Sequence, residues 1–242
     1  MTNVHHYPKL IRGKLIKRYK RFLADIELET GETITAHCAN TGPMRGVSEP
    51  NSLVQVAQSN NPKRKLAYTW EMIQVNNTWV GINTSLPNKV IKTALTQNLI
   101  PELATRYSSI RTEVPYGKNK KSRIDFLLSK ENQPDIYLEV KNVTLTQAST
   151  ALFPDTVTTR GQKHLEELMT LAPPAKAIML YFINRNDCDR FAPADSYDPK
   201  YAKLYREAIA AGVEILPLRF EVTPEKITYL GLADFLLQEP GI

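Results

Sequence analysis

Arg123-Ile124-Asp125-Phe126-Leu127-Leu128, a polar break from Lys130 to Pro134, and then Ile136-Tyr137-Leu138-Glu139-Val140-Lys141 carry most of what the sequence says about architecture and chemistry. Each half alternates apolar with other residues at period two, which predicts a pair of strands. Ile124, Phe126 and Leu128 are expected on one face, matched by Ile136, Leu138 and Val140 on the facing strand. A hairpin centred on Asn132 sets Asp125 opposite Glu139 and Arg123 opposite Lys141. Directly opposed side chains lie about 4.5–5.5 Å apart at Cβ, close enough for two carboxylates to share one ion. Glu139 and Lys141, two apart, point the same way. The expectation is a carboxylate pair beside an ammonium on the polar face of an otherwise apolar hairpin. Magnesium takes such oxygen ligands, commonly one or two carboxylates with waters and phosphate oxygens. The competing reading of these residues is two cross-strand ion pairs on a solvated sheet face, worth about 0.2–1 kcal/mol each.

The rest of the chain decides between them. Its 242 residues are 42% hydrophobic and 23% charged, which suits one large or two small globular domains. No run approaches the roughly 18 apolar residues of a membrane span, and the N-terminus lacks a signal-peptide core, so the expected location is the cytoplasm. Cys38 and Cys188 stand far apart without neighbouring ligands, which predicts buried free thiols rather than a disulfide or a zinc cluster. A net charge of +6 favours a polyanionic partner.

From Tyr7 to Leu28, apolar pairs alternate with Lys9, Arg12, Lys14, Lys17, Arg18, Lys20 and Arg21, as in a long strand or hairpin with a basic face. Thr33–Cys38, Leu53–Ala57, Leu66–Val75 and Trp79–Ile82 read as further strands between Gly, Pro and Asn turns. Short strands without a helix predict a small closed barrel over residues 1–82, and a five-strand oligonucleotide-binding (OB) barrel fits this length. Two basic runs, the first from Lys9 to Arg21 and the second Lys63-Arg64-Lys65, with Tyr19, Phe22, Tyr68 and Trp70 nearby, point to nucleic acid. Such contacts read charge rather than base sequence. His37-Cys38-Ala39-Asn40-Thr41-Gly42 reads as a polar turn bonding its own backbone.

A helix is expected from Asn83, with Val90, Ile91, Leu95 and Leu99 at helical spacing, continuing past Pro101 through Tyr107 and carrying Glu102. The second domain, residues 83–242, then reads helix, three strands, helix, strand, helix, strand, an α/β arrangement on a mixed sheet. Thr112–Tyr116 is the first of the three strands and brings Glu113 near Asp125. The basic turn holding Lys120 and Lys121 leads into the hairpin. On the following helix, Arg160, Lys163, His164 and Glu167 fall at spacings of three and four and share one face. Ala177–Ile183 is apolar throughout, as a central strand should be.

An acid, a hairpin and then Glu-x-Lys resembles the PD-(D/E)-x-K nuclease superfamily. Pro134-Asp135 matches that name literally, but four residues along a strand span roughly 13 Å, too far for Asp135 and Glu139 to hold one ion. Asp125 is the better acid. The resemblance implies a catalytic set of Asp125, Glu139 and Lys141, and Mg2+ or Mn2+ held by Asp125, Glu139 and the carbonyl of Val140. It offers Glu113 or Glu102 as a further ligand and Arg160, Gln162 and Lys163 as phosphate contacts. Arg12, Lys14, Lys17, Arg18, Lys20, Arg21, Lys120, Lys121 and Arg123 complete the expected DNA-binding set.

Leu10-Ile11-Arg12-Gly13, Tyr19 to Asp25, His37 to Gly42, Ser122 to Leu128, Glu139 to Leu145 and Phe153-Pro154-Asp155 through Arg160 to Leu165 together resemble the sugar fermentation stimulation protein family. That resemblance implies an OB-like part joined to a restriction-endonuclease-like part and non-specific DNA binding. Two functions follow: a metal-dependent DNA phosphodiesterase, or a DNA-binding regulator of sugar, particularly maltose, metabolism without turnover. A sugar hydrolase using the two acids is a distant third, because a lysine shares their face and no aromatic platform accompanies them.

Overall fold

The computed structural model describes residues 2–117, 121–171 and 174–241. The chain opens with β1 (Thr2–His6) and then lays down β2 (Ile11–Tyr19), β3 (Leu23–Leu28), β4 (Thr33–His37), β5 (Leu53–Gln58), β6 (Tyr68–Val75) and β7 (Thr78–Gly81). Strands β2 to β6 close into a five-stranded barrel in the order β4-β3-β2-β5-β6, with a parallel β4–β6 pairing as the seam and β7 hydrogen-bonded to β6. The alternation in β2 explains its basic face. Gly13 and Leu15 point inward while Arg12 and Lys14 stay exposed, and a bulge between Leu15 and Lys17 keeps Lys17 outside. Asn76 and Asn77 both adopt positive φ, 48° and 63°, the conformation that a two-residue hairpin turn demands. Trp70 fills the barrel among Leu15, Ile26, Val54 and Val56, and its Nε1 donates to the carbonyl of Met72 at 3.0 Å.

Residues 2–6 are not part of this barrel, contrary to the expected 1–82 unit. β1 pairs antiparallel with a strand 220 residues later in the chain, Thr2 facing Tyr229 and His6 facing Lys226, roughly a domain's length away in sequence. A strand this short is stable only as an addition to an existing sheet.

After the barrel come α1 (Leu86–Thr96), β8 (Ser109–Tyr116), β9 (Ser122–Ser129), β10 (Ile136–Val143), β11 (Leu145–Gln147), β12 (Thr150–Phe153) and α2 (Thr159–Met169). The chain continues through β13 (Lys176–Ile183), β14 (Arg190–Pro193), α3 (Pro199–Ala210), β15 (Glu214–Val222), β16 (Lys226–Leu232) and β17 (Asp234–Phe235). The main sheet has the order β1-β16-β15-β13-β10-β9-β8, with β10, β13 and β15 parallel and the flanking strands antiparallel. Both faces are covered, which is why β13 is apolar throughout: Ile178, Leu180 and Phe182 join the core under α1, and Met179, Tyr181 and Ile183 the core under α2 and α3. Phe182 stacks on Phe220 with ring centroids 3.8 Å apart and ring planes 12° from parallel. Among the described residues, no helix is long and apolar enough to cross a membrane.

Two further expectations are corrected. Helix α1 stops at Thr96 rather than continuing to Tyr107: Asn98 turns the chain at φ 52°, and Pro101 cannot donate to a continuing helix. Strands β11, β12, β14 and β17 form a separate four-stranded sheet whose pieces are too short to show a period.

The barrel sits on the C-terminal ends of the parallel strands. Gly81 donates its N–H to the carbonyl of Asn184 at 3.0 Å, and a Cβ at Gly81 would lie 2.2 Å from Asn184 Oδ1. Any larger residue there would have to displace the Asn184 amide. On the other side of the contact, Asp155 Oδ2 accepts the N–H of Met44 at 3.2 Å and its carbonyl accepts Arg45 Nε at 2.9 Å.

Candidate metal centre and phosphate cleft

The β9–β10 ladder runs from Ile136↔Leu128 to Leu138↔Phe126, the register of a turn centred on Asn132. It stops one residue short of Asp125 and Glu139. Beyond this point β10 stays paired with β13 and β9 with β8, while the pairing between β9 and β10 gives way to a gap at Val140. β8 is irregular at the same level. Glu113 has φ 55° and interrupts the β8–β9 ladder between Thr112↔Phe126 and Val114↔Ile124. The strand changes face at this point: Phe126 and Leu128 belong to the core under α1, Ile124 to the core under α2. The expected common face for Ile124, Phe126 and Leu128 is corrected accordingly. Arg123 does not face Lys141; it lies opposite Pro115 and donates Nη1 to the carbonyl of Glu113 at 2.9 Å.

Asp125 fills the gap. Its Oδ2 accepts the backbone N–H of Val140 at 2.7 Å, and its Oδ1 accepts Asn88 Nδ2 from α1 at 2.7 Å. The N–H and C=O of one strand residue leave the strand on the same side. The carbonyl of Val140 therefore also points into this gap. Burial, and then the neighbouring Glu139 carboxylate, push the Asp125 carboxyl up to about 6, against the Val140 N–H, Lys141 and Asn88.

Glu139 is only 3% exposed. The face carrying Glu139 and Lys141 is covered by α2, which brings His164 down onto the strand, against the competing reading of a solvated sheet face. Glu139 Oε1 accepts Lys141 Nζ at 2.8 Å and contacts His164 Nδ1, and Lys141 Nζ lies 3.1 Å from that same nitrogen. Burial alone would raise the Glu139 carboxyl; Lys141 and His164 outweigh it and hold the group below the ordinary carboxylate value. Its second oxygen, Oε2, is buried and has no hydrogen-bond partner. An orphaned anionic oxygen costs about 1–3 kcal/mol or more if nothing meets it. A divalent cation between Asp125 and Glu139 would meet it, and the residues present fit: two carboxylates and a carbonyl, with water completing the shell. Among the described residues, no three His, Cys, Asp or Glu side chains gather into a fuller cage.

A cleft of about 520 Å³ runs between β9 and the first turns of α2, lined by Glu113, Lys121, Ser122, Arg123, Thr159, Arg160, Lys163 and His164, and His164 connects it to Glu139. Four of these eight carry positive charge. Lys163 Nζ donates to Ser122 Oγ at 3.0 Å and sits 3.4 Å from Glu167, leaving its side chain half exposed. Lys120 lies outside the described residues.

Several expected site residues do other work. Glu102 lies in the turns after α1, where its Oε2 accepts Tyr229 Oη at 2.9 Å, on the far strands of the sheet from Asp125. α1 reaches the acid through Asn88 instead. Gln162 is buried and donates to both oxygens of Asp198, the residue that caps α3, so it cannot meet a phosphate. Arg18 Nη2 donates to the carbonyls of Arg21, Asn40 and Gly42, tying the β2–β3 turn to the His37–Gly42 turn rather than facing solvent. Arg21 keeps its exposure but gives Nε to the carbonyl of Thr41 at 2.7 Å. Arg12, Lys14, Lys17 and Lys20 remain exposed, Arg12 and Lys17 within 3.6 Å of Glu29 and Asp25. Asn88 was not expected at the site, since a lone amide on a helix has no spacing signature, and His164 was legible only as part of the polar face of α2. Both cysteines are free and buried.

The likenesses to known proteins cover the whole chain. Residues 16–82 match the family described as the SfsA N-terminal OB domain, and residues 85–226 the sugar fermentation stimulation protein RE domain. A sugar fermentation stimulation protein homolog of Crocosphaera subtropica is 67% identical over 232 residues, covering 96% of this chain and 97% of the relative. The homolog of Synechocystis is 59% identical, covering 98% and 100%. Among solved structures, that of Pyrococcus furiosus SfsA in complex with Ca2+ superposes with a TM-score of 0.87 at 26% identity, covering 98% of this chain and all of the other. With both domain families matched in order and relatives aligned from end to end, the chain belongs to the sugar fermentation stimulation protein family.

Proposed function

We propose that this protein binds DNA without regard to sequence and hydrolyses phosphodiester bonds with Mg2+ or Mn2+ held between Asp125 and Glu139. The observation that carries the reading is the buried, partnerless Oε2 of Glu139 beside Asp125, next to a cleft lined by four cations. The relative from Pyrococcus furiosus is described in complex with Ca2+, a cation of the same oxygen-seeking class, which supports a divalent site in this fold. When bound, the cation polarises a phosphoryl oxygen and lowers the pKa of an attacking water. Lys121, Arg123, Arg160 and Lys163 hold the phosphates along the cleft. Asp125 is fixed from two sides by Val140 and Asn88, so its carboxylate needs no reorganisation to act as a ligand. Lys141, two residues from Glu139, supplies an ammonium that orients the water and offsets developing negative charge. The exposed barrel cations extend the surface available to a nucleic-acid backbone.

The test is cleavage of single-stranded, duplex and branched DNA with Mg2+, Mn2+ or chelator. The reading requires metal-dependent breakage. One observation favours a regulator without turnover: Lys141 already neutralises Glu139 at 2.8 Å, so the acids do not wholly repel DNA in the metal-free protein. That alternative requires DNA to stay intact and binding to ignore chelator.

The raised Asp125 carboxyl gives this site a pH signature. Cation binding needs the carboxylate, so from this group Mn2+ affinity is expected to fall about tenfold per pH unit below about 6 and to level off above it. In the metal-free fold the sign is the opposite one. A folded carboxyl raised above its unfolded value gives stability that is present at acid pH and lost as pH rises through about 6. Calorimetric titration with Mn2+ at several pH values measures the first effect, and an affinity flat between pH 5 and 7 would contradict it.

A further inference from the structure

His164 is 3% exposed, and both its ring nitrogens meet protein groups. Nε2 faces Arg160 Nε, one helical turn earlier on α2, at 3.4 Å. A guanidinium N–H can only donate, so Nε2 must offer its lone pair. The ring proton then sits on Nδ1, which faces Glu139 Oε1. Lys141 Nζ is 3.1 Å from Nδ1 and 2.8 Å from Oε1; with the Nδ1 lone pair absent, the lysine proton goes to the carboxylate. Oε1 therefore accepts from two donors while Oε2 accepts from none. An unconstrained neutral imidazole prefers the other tautomer, Nε2–H. The Glu139 carboxylate at Nδ1 and the Arg160 donor at Nε2 select this one together, and Arg160 also lines the phosphate cleft.

We propose that His164 is a positioning residue: held as the Nδ1–H tautomer between Arg160 and Glu139, it anchors Glu139 Oε1 through that hydrogen so that Oε2 is presented to the cation. The same two side chains join a phosphate-contacting arginine to a metal-binding carboxylate by a single imidazole. The proposal rests on the metal reading above for its consequence, but its geometry does not need metal. Partners behind a ligand are typically worth 10–100-fold in metal affinity.

Two readouts separate the possibilities. The chain has four histidines, so imidazole 15N shifts of the metal-free protein are readily assigned with His164→Asn as reference. The expected pattern is a protonated Nδ1 and an unprotonated Nε2 at His164. An Nε2–H ring in the unaltered protein overturns the assignment whether or not metal binds. The second readout is Mn2+ affinity by calorimetry. The amide nitrogen of asparagine overlays Nδ1 and that of glutamine overlays Nε2. His164→Asn should stay within about threefold of the unaltered protein, and His164→Gln should weaken binding about 10–100-fold. A packing role predicts the reverse order, since glutamine is nearer histidine in size, and that order or equal affinities would overturn the proposal. If the unaltered protein takes up no Mn2+ at all, the metal reading fails, and the 15N pattern still decides the role of His164.

Discussion

Asp125→Ala is expected to lower metal-dependent DNA cleavage by about 10³-fold or more while leaving DNA binding within a few-fold of the unaltered protein. The size follows from what the carboxylate does. A cation at a phosphoryl oxygen supplies several kcal/mol of transition-state stabilisation, and about 4 kcal/mol corresponds to about 10³ in rate. Without Asp125 the cation keeps one carboxylate, and the Val140 N–H and Asn88 amide that met Asp125 turn to water. DNA binding is expected to hold or tighten slightly, because the variant removes an anion beside a phosphate cleft. Asp125→Asn separates charge from shape: it keeps an acceptor for one of the two donors and should be equally inactive. Quantitative cleavage of a labelled duplex, with chelator as control, measures the effect. Equal Mg2+-dependent activity in unaltered protein and Asp125→Ala would place the chemistry elsewhere, in another site or a contaminant.

Lys121→Ala with Arg123→Ala is expected to weaken DNA binding by roughly 10–100-fold near 0.1 M salt and to make the dependence of log affinity on log salt shallower by about 1.8, two phosphate contacts at about 0.9 each. Both residues line the cleft from β9 and the turn before it, and neither forms a side-chain ion pair among the described residues. Arg123 gives one N–H to the Glu113 carbonyl and keeps the rest of its fork for a phosphate. The loss should be uniform across DNA sequences, since backbone contacts carry no base information. Fluorescence anisotropy over a salt series tests this. An unchanged slope would mean that the DNA runs along the barrel and leaves the cleft empty.

The comparison between sequence and structure turns on which signals are local. Period-two alternation found the barrel strands and the β9–β10 turn at Asn132, because inward and outward residues of a half-buried strand differ in chemistry. The separation of β9 from β10 was invisible, since the alternation of both strands runs on through the point where their pairing stops, level with the left-handed Glu113 of the neighbouring strand. Arg18 and Gln162 read as phosphate contacts for a related reason. A polar side chain that satisfies a buried loop has the same letters as one that meets a ligand, and only its partners tell them apart. The continuation of α1 past Pro101 was an error of period over punctuation: Leu103 kept the helical spacing, but the left-handed Asn98 had already closed the helix before the proline. His164 was legible as a helix neighbour of Arg160 at i, i+4, yet its descent onto Glu139 follows from how α2 packs across β10, which no spacing records.

The central claim is that Asp125 and Glu139 converge on one divalent cation, and anomalous diffraction from crystals soaked in Mn2+ tests it most directly. The account predicts a single strong peak about 2.1–2.3 Å from an Asp125 oxygen and from Glu139 Oε2, with the Val140 carbonyl also in reach. A peak bound by neither acid, or an empty site at saturating Mn2+ with Glu139 Oε2 still unpartnered, would contradict it.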